Sequence, residues 1–253
     1  MNTHFFGDTL VLLGRSLRHI LRSPDTIITT AITPVAMMLL FVYVFGGAIN
    51  PGSDSYLNYM LPGILLITIA SSIAYTAYRL FMDMQGGIFE RFQSMPIARS
   101  SVLWAHVLTS LVANLISVVV VVLVALLMGF RSGEGVLAWL AVTGILILFT
   151  LALTWIAVLA GLSAKTVEGA GAFAYPIIFL PFISSAFVLT ATMPAPVRAF
   201  ADNQPVTPIV NAIRDLYTQQ PVSTDIWIAL AWCLGILITA YALAMAAYHR
   251  KIA

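Results

Sequence analysis

The sequence predicts an all-α integral membrane protein with six transmembrane helices, and three observations carry that prediction. Of its 253 residues, 60% are hydrophobic and only 9% charged, where a soluble domain carries about 25% charged residues. Mean hydropathy is +0.98. Six apolar runs, none holding Asp, Glu, Lys or Arg, approach or exceed the roughly 20 residues that cross a hydrocarbon core.

The chain opens with an amphipathic segment, residues 1–24. Leu10, Leu13, Leu17, Ile20 and Leu21 share one helical face, while Arg15, Arg18 and Arg22 form a separate stripe with His19 beside it. This pattern predicts an interfacial helix whose arginines meet anionic headgroups. It is not the basic stretch plus short apolar block of a cleavable signal peptide, so none is expected. Ser23-Pro24-Asp25 ends the helix, because proline disfavours helix at the preceding residue, and Asp25 is placed to cap the first span.

The six-span core occupies residues 27–248. Its runs are Ile27–Phe45, Leu57–Tyr78, Val102–Phe130, Val136–Leu162, Gly171–Leu189 and Ile226–Tyr248. The third and fourth exceed the bilayer's requirement and must tilt or project. In the fifth, Pro176 and Pro181 interrupt the hydrogen-bond ladder, leaving a kinked helix and a re-entrant hairpin as alternatives. Residues 249–253 form a short basic tail.

Orientation follows from the basic residues. With both termini cytoplasmic, the inner segments hold Arg15, Arg18, Arg22, Arg79, Arg91, Arg99, Lys165, Arg250 and Lys251, against Arg131, Arg198 and Arg214 outside. The chain is thus expected to be a multi-pass protein of the plasma membrane. Trp104, Trp139 and Trp227 lie near predicted span starts, as interfacial anchors should.

The last outer segment, residues 193–225, is patterned. Thr207-Pro208 reads as an N-cap followed by proline at the first helical position. Ile209, Val210, Ile213, Leu216 and Tyr217 then fall on one face of a short helix, with Asn211, Arg214 and Asp215 pointing the other way. Ile209, Ile213, Leu216 and Tyr217 are expected to pack on the outer ends of the spans as a gate. A second helical piece is expected around Val197–Ala201.

Signatures of catalysis are missing. The single Cys233 lies in an apolar run and reads as a small buried hydrophobe. The four histidines are scattered, and His106, near the cytoplasmic end of the third span, reads as a structural hydrogen-bonding residue. GLSAKT at Gly161–Thr166 lacks the glycine before lysine that lets amides wrap a phosphate. No metal motif is present, and none of the spans holds the ionisable residue that ion-coupled carriers usually place at membrane depth. Neutral polar residues do occur there, among them Thr30, Thr33, Ser72, Tyr75 and Asn114, as candidate path-lining or interhelical hydrogen-bonding groups. With these energy sources absent, input from a partner is expected. The charged loop 83–99, DMQGGIFERFQSMPIAR, is the best-placed cytoplasmic surface to receive it.

That loop carries a resemblance. Asp83, Gly87, Phe89, Glu90, Arg91, Met95, Pro96, Ala98 and Arg99 resemble the loop of the type-2 ABC exporter permeases: an acidic residue, glycine, a hydrophobe, Glu-Arg, then Met-Pro ahead of small and basic residues. MPAPVRAF and NQPVTPIVNAIRDL, the latter at Asn203–Leu216, look like the daunorubicin-resistance permease branch of that family. The likeness covers essentially the whole chain.

The resemblance implies one transmembrane domain over residues 1–253, with a cytoplasmic coupling helix between spans two and three and short extracellular helices between spans five and six. It implies a non-catalytic subunit that carries no cofactor, docked on a separate cytoplasmic ABC ATPase that holds ATP and Mg, and paired with a second permease copy or sister permease. Gly87, Ile88, Phe89, Glu90, Arg91, Phe92, Met95 and Pro96 would form the ATPase-coupling surface, an apolar knob flanked by orienting charges. The cargo would be a hydrophobic or amphipathic drug, antibiotic or lipid moved outward. A polysaccharide or lipid-linked glycan permease shares this architecture. An ion-coupled carrier and a non-transporting membrane scaffold are rivals from other classes.

Overall fold

A computed structural model of the chain describes residues 24–49, 55–86, 101–218 and 223–252. Among these residues every regular element is helical. Four helices are long and apolar enough to cross a membrane: α2 (Tyr56–Gln85), α3 (Ser101–Leu127), α4 (Val136–Ser163) and α9 (Asp225–Ile252). They coincide with the second, third, fourth and sixth predicted runs.

The first run is α1 (Pro24–Leu40), continued by a π-helical turn over Phe41–Phe45. Asp25 lies within that helix rather than ahead of it as a cap. The fifth run is fractured into α5 (Val167–Ala172), α6 (Ala174–Phe179) and a 3-10 turn over Leu180–Ile183. It starts just after Gly161, where a Cβ would lie 2.8 Å from the Ala77 carbonyl oxygen. It ends with Ala186 against Gly63, where an added Cβ would meet the Ala186 Cβ at 2.6 Å. The fractured segment packs against α2 and reaches Gly63, near the start of that helix, at Ala186.

α2 is the centre of the bundle. It packs on α1, α3, α4, α5 and α6 and, at its predicted outer end, on α8 (Val206–Tyr217). Met60, Leu61, Ile64, Leu65, Leu66, Ile67, Ile69 and Ile73 are all buried on it. By contrast α3 and α9 leave most of their surfaces exposed, as lipid-facing helices do. A second cluster lies at the predicted cytoplasmic end, where Trp155 meets Trp104 and Tyr241 edge-on at 5.3 and 4.7 Å. Cys233 is buried, as expected of a small hydrophobe.

Two boundaries differ from the sequence prediction. α2 runs seven residues past Tyr78 to Gln85, so Asp83 belongs to its last turn rather than to the loop. α8 begins at Val206, not after Thr207; the Thr207 hydroxyl donates to the Ala201 carbonyl of α7 (Ala195–Asn203) at 2.5 Å instead of capping α8. The Gln204 carboxamide oxygen takes the first free amide, that of Val206, at 3.4 Å.

Candidate functional site

Two groups of polar contacts hold α2, one at each end. At the predicted outer end α8 lies across the bundle with Ile209, Ile213 and Tyr217 buried in the main core and Leu216 half-buried against it. Ile209, Ile213, Leu216 and Tyr217 thus pack against the main core of the bundle. Arg214 does not point away from them. Its Nη2 donates to the Tyr59 carbonyl at 3.0 Å and to the Ser185 carbonyl at 2.8 Å, and its Nη1 donates to Asn211 Oδ1 at 3.1 Å. The guanidinium carbon lies 3.8 Å from the centre of the Tyr59 ring, a cation–π contact. Asn211 also turns inward: its oxygen accepts from Ser185 Oγ at 2.6 Å, and its amide donates to Asp225 at the start of α9 at 2.9 Å. One side of α8 is thereby stitched to α2, to the fractured segment and to α9.

Tyr217 completes this clasp. Pro62 has no N–H, so the Asn58 carbonyl four residues earlier lacks its helical donor; the Tyr217 hydroxyl donates to that oxygen. Burial pushes the Tyr217 hydroxyl pKa far above the ordinary tyrosine value, with nearby Arg214 opposing the shift. It remains a donor through the physiological range.

At the predicted cytoplasmic half, α2 and α3 share a polar seam. Ser72 Oγ donates to Asn114 Oδ1, and Thr76 and Ser110 hydroxyls lie 2.7 Å apart. Asn114 Nδ2 donates to the Ser110 carbonyl at 2.9 Å. All four residues are buried. Where the helices approach the loop, His106 Nε2 lies 3.1 Å from Asp83 Oδ2, which gives His106 the structural partner its sequence position suggested. Ser72 and Asn114, proposed from sequence as path-lining, face each other across this seam. Tyr75 is instead exposed, stacked with Tyr78 at 6.3 Å, and Thr33 is exposed on α1. Only the backbone of Thr30 is described.

The coupling residues Gly87, Ile88, Phe89, Glu90, Arg91, Phe92, Met95 and Pro96, and the interfacial Arg15, Arg18 and Arg22, lie outside the described residues. A match to the ABC-2 type transporter family covers residues 8–218, and so runs through both groups. The chain belongs to the ABC-2 type transporter family. Its relatives include the daunorubicin resistance ABC transporter permease protein DrrB1 of Streptomyces coeruleorubidus, 28% identical over 96% of this chain and 86% of that protein. A protein of Mycobacterium tuberculosis named a probable doxorubicin resistance ABC transporter permease protein DrrC is 26% identical over 92% of this chain and 85% of its own length. The α8 clasp lies within this ABC-2 domain and at its end, since the match closes one residue beyond Tyr217.

Among the described residues no group of three or more His, Cys, Asp or Glu side chains is placed to hold a metal ion. The polar groups of these two clusters are neutral hydrogen-bonding residues, the Arg214 guanidinium, the Asp225 carboxylate and the His106–Asp83 pair. These can hold helices in register and let them part. Sequence reasoning missed Arg214, Asn211 and Gln204, whose Nε2 donates to the Ile183 carbonyl at 3.0 Å in the fractured segment. Pro62 was the available signal for Tyr217, because a proline inside an apolar run announces a carbonyl that needs an outside donor.

Proposed function

We propose that this chain is the membrane-spanning permease subunit of an ATP-driven exporter, moving a hydrophobic or amphipathic substrate outward across the plasma membrane. The observation that carries this reading is the ABC-2 match through residues 8–218, which includes the Glu90-Arg91 and Met95-Pro96 loop. A separate ATPase, holding ATP and Mg, docks on loop 83–99 and supplies the energy. The names of the relatives, tied to daunorubicin and doxorubicin resistance, favour a drug or antibiotic as cargo.

In this reading the six crossings are the four long helices plus α1 with its π turn and the broken passage from Val167 to Phe187. Both termini are cytoplasmic, and two permease copies face each other to form the path. α8 closes the outer end, because its apolar face is buried against the helix ends. The Ser71, Tyr75, Tyr78 and Met82 stripe of α2, partly or fully open on a largely buried helix, is the surface a substrate or second copy would meet.

The test is purification of the tagged full chain from its own membranes. An ABC ATPase should co-purify, and vesicles holding the complex should accumulate an anthracycline only with ATP. Gradient-driven transport by the chain alone, without any ATPase, would overturn the proposal and establish a carrier.

A further inference from the structure

We propose that the open stripe on α2 selects aromatic amphiphiles that carry oxygen acceptors or an anionic group and no ammonium, with Arg79 as the specificity-determining residue. The inference rests on the exporter reading for cargo meeting this stripe, and deepens it by naming the chemistry admitted.

Ser71, Tyr75, Tyr78 and Met82 recur at steps of four, three and four, so they share one face of α2. Tyr75 and Tyr78 are stacked, with ring centroids 6.3 Å apart and planes inclined by 29°, and both are exposed. They present a joined aromatic surface on a helix that is packed over most of its length. Such a surface suits a flat ring system, which gains apolar burial and an offset-stacked contact at once.

Charge then narrows the class. Arg79 flanks the stripe, and its guanidinium carbon lies 5.8 Å from the centre of the Tyr75 ring. That ring, the usual attraction for a ligand cation, is therefore already engaged by a cation of the chain itself. Asp83, one turn further on, pairs with His106, and neither ion pair among the described residues includes Arg79. The same arrangement recurs at the predicted outer end, where Arg214 covers the buried Tyr59 ring at 3.8 Å. None of the six apolar runs holds Asp or Glu.

An ammonium group on this stripe would thus face a guanidinium, with no carboxylate at membrane depth to balance it. In a medium that screens weakly, that repulsion is large. A carbonyl, phenolic or carboxylate oxygen meets the opposite situation, because the planar guanidinium offers it N–H donors in a fixed fork. The stripe therefore holds rings by stacking and sorts them by charge.

A matched pair of probes tests this. The full chain in nanodiscs of zwitterionic lipid is titrated with an anthracycline whose sugar amine is free, and so protonated at neutral pH. The second probe is the same molecule with that amine acetylated. Fluorescence polarisation reads binding, and partition into empty nanodiscs is subtracted. The acetylated probe should bind about tenfold more tightly. Arg79→Gln should bring the two affinities together, chiefly by strengthening binding of the amine, while Arg79→Lys, which keeps the charge, should preserve the preference. Arg198→Gln removes an exposed cation of α7, outside the stripe, and should leave the preference unchanged. Equal or tighter binding of the amine by the parent chain, a preference that survives Arg79→Gln, or failure of both probes to bind would overturn the proposal. The parent comparison alone decides if Arg79→Gln fails to insert. Failure of an ATPase to co-purify would sink the exporter reading, and is read separately from the ratio of the two affinities.

Discussion

The Tyr217 hydroxyl donates to the carbonyl of Asn58, the one acceptor that Pro62 strips of its helical partner. A break in a membrane helix is thus repaired from a helix that the sequence places 159 residues away. The repair fixes where α8 sits.

Tyr217→Phe should therefore destabilise the folded chain by about 1–3 kcal/mol, since it leaves a buried carbonyl unsatisfied. Thermal unfolding in detergent, followed by size-exclusion chromatography, checks this. Pro62→Ala restores the missing helical N–H, so the cost of Tyr217→Phe should shrink in that background. An equal cost in both backgrounds would break the link between the two residues.

The same hydroxyl predicts an alkaline sensitivity. Its folded pKa is raised by burial, so its contribution is fully present below the ordinary tyrosine value of about 10. It is lost as pH rises above that value towards the folded pKa, because the unfolded chain then releases the proton first. Melting profiles between neutral pH and strong alkali should fall less steeply for Tyr217→Phe than for the parent.

Arg214→Lys is the next test. The guanidinium bonds to Tyr59 and Ser185 carbonyls and Asn211 at once while stacking on the Tyr59 ring. An ammonium lacks the planar fork to do so. The substitution should cost about 1–3 kcal/mol, and should raise protease cleavage of the outer segment in intact cells. Parent-like cleavage and melting would show that charge alone suffices.

A hydropathy pattern records which residues avoid water, so the four long helices and the apolar face of α8 were legible in the sequence. It says nothing about where a cation finds acceptors. Arg214 and Asn211 therefore read as solvent-facing, although main-chain and side-chain oxygens on α2, the fractured segment and α9 receive them. Pro176 and Pro181 announced a break, but the route of the broken chain depended on Gly63 and Gly161, whose close contacts are tertiary. Thr207 looked like a cap because the sequence could not show Ala201 coming within 2.5 Å of it. The exposed Tyr75 and the buried Ser72 sit one helical turn apart and were grouped together; helix rotation separates them.

The seam predicts a modest but specific cost. Asn114→Leu should destabilise by about 1 kcal/mol, the scale of interhelical hydrogen bonds in membranes. Thr76→Val, its neighbour in the same network, should add less to it than it costs alone. Full additivity of the two would mean that the seam is separate bonds rather than one network.

The last prediction separates docking from transmission at the loop, under the exporter reading. Phe89 and Glu90 lie on the segment whose pattern resembles the ATPase-facing loop of type-2 exporters, so Phe89→Ala or Glu90→Ala should reduce the ATPase that co-purifies. Asp83 belongs instead to the last turn of α2 and pairs with His106 of α3. Asp83→Asn should leave recruitment near the parent level and lower substrate moved per ATP hydrolysed, because the subunit still docks while the two helices it drives are less firmly joined. Measuring co-purified ATPase and the transport-to-hydrolysis ratio on the same preparations distinguishes the two. If Asp83→Asn lost the ATPase and Glu90→Ala kept it, the docking surface would lie on the end of α2, and the loop would be the transmitting part.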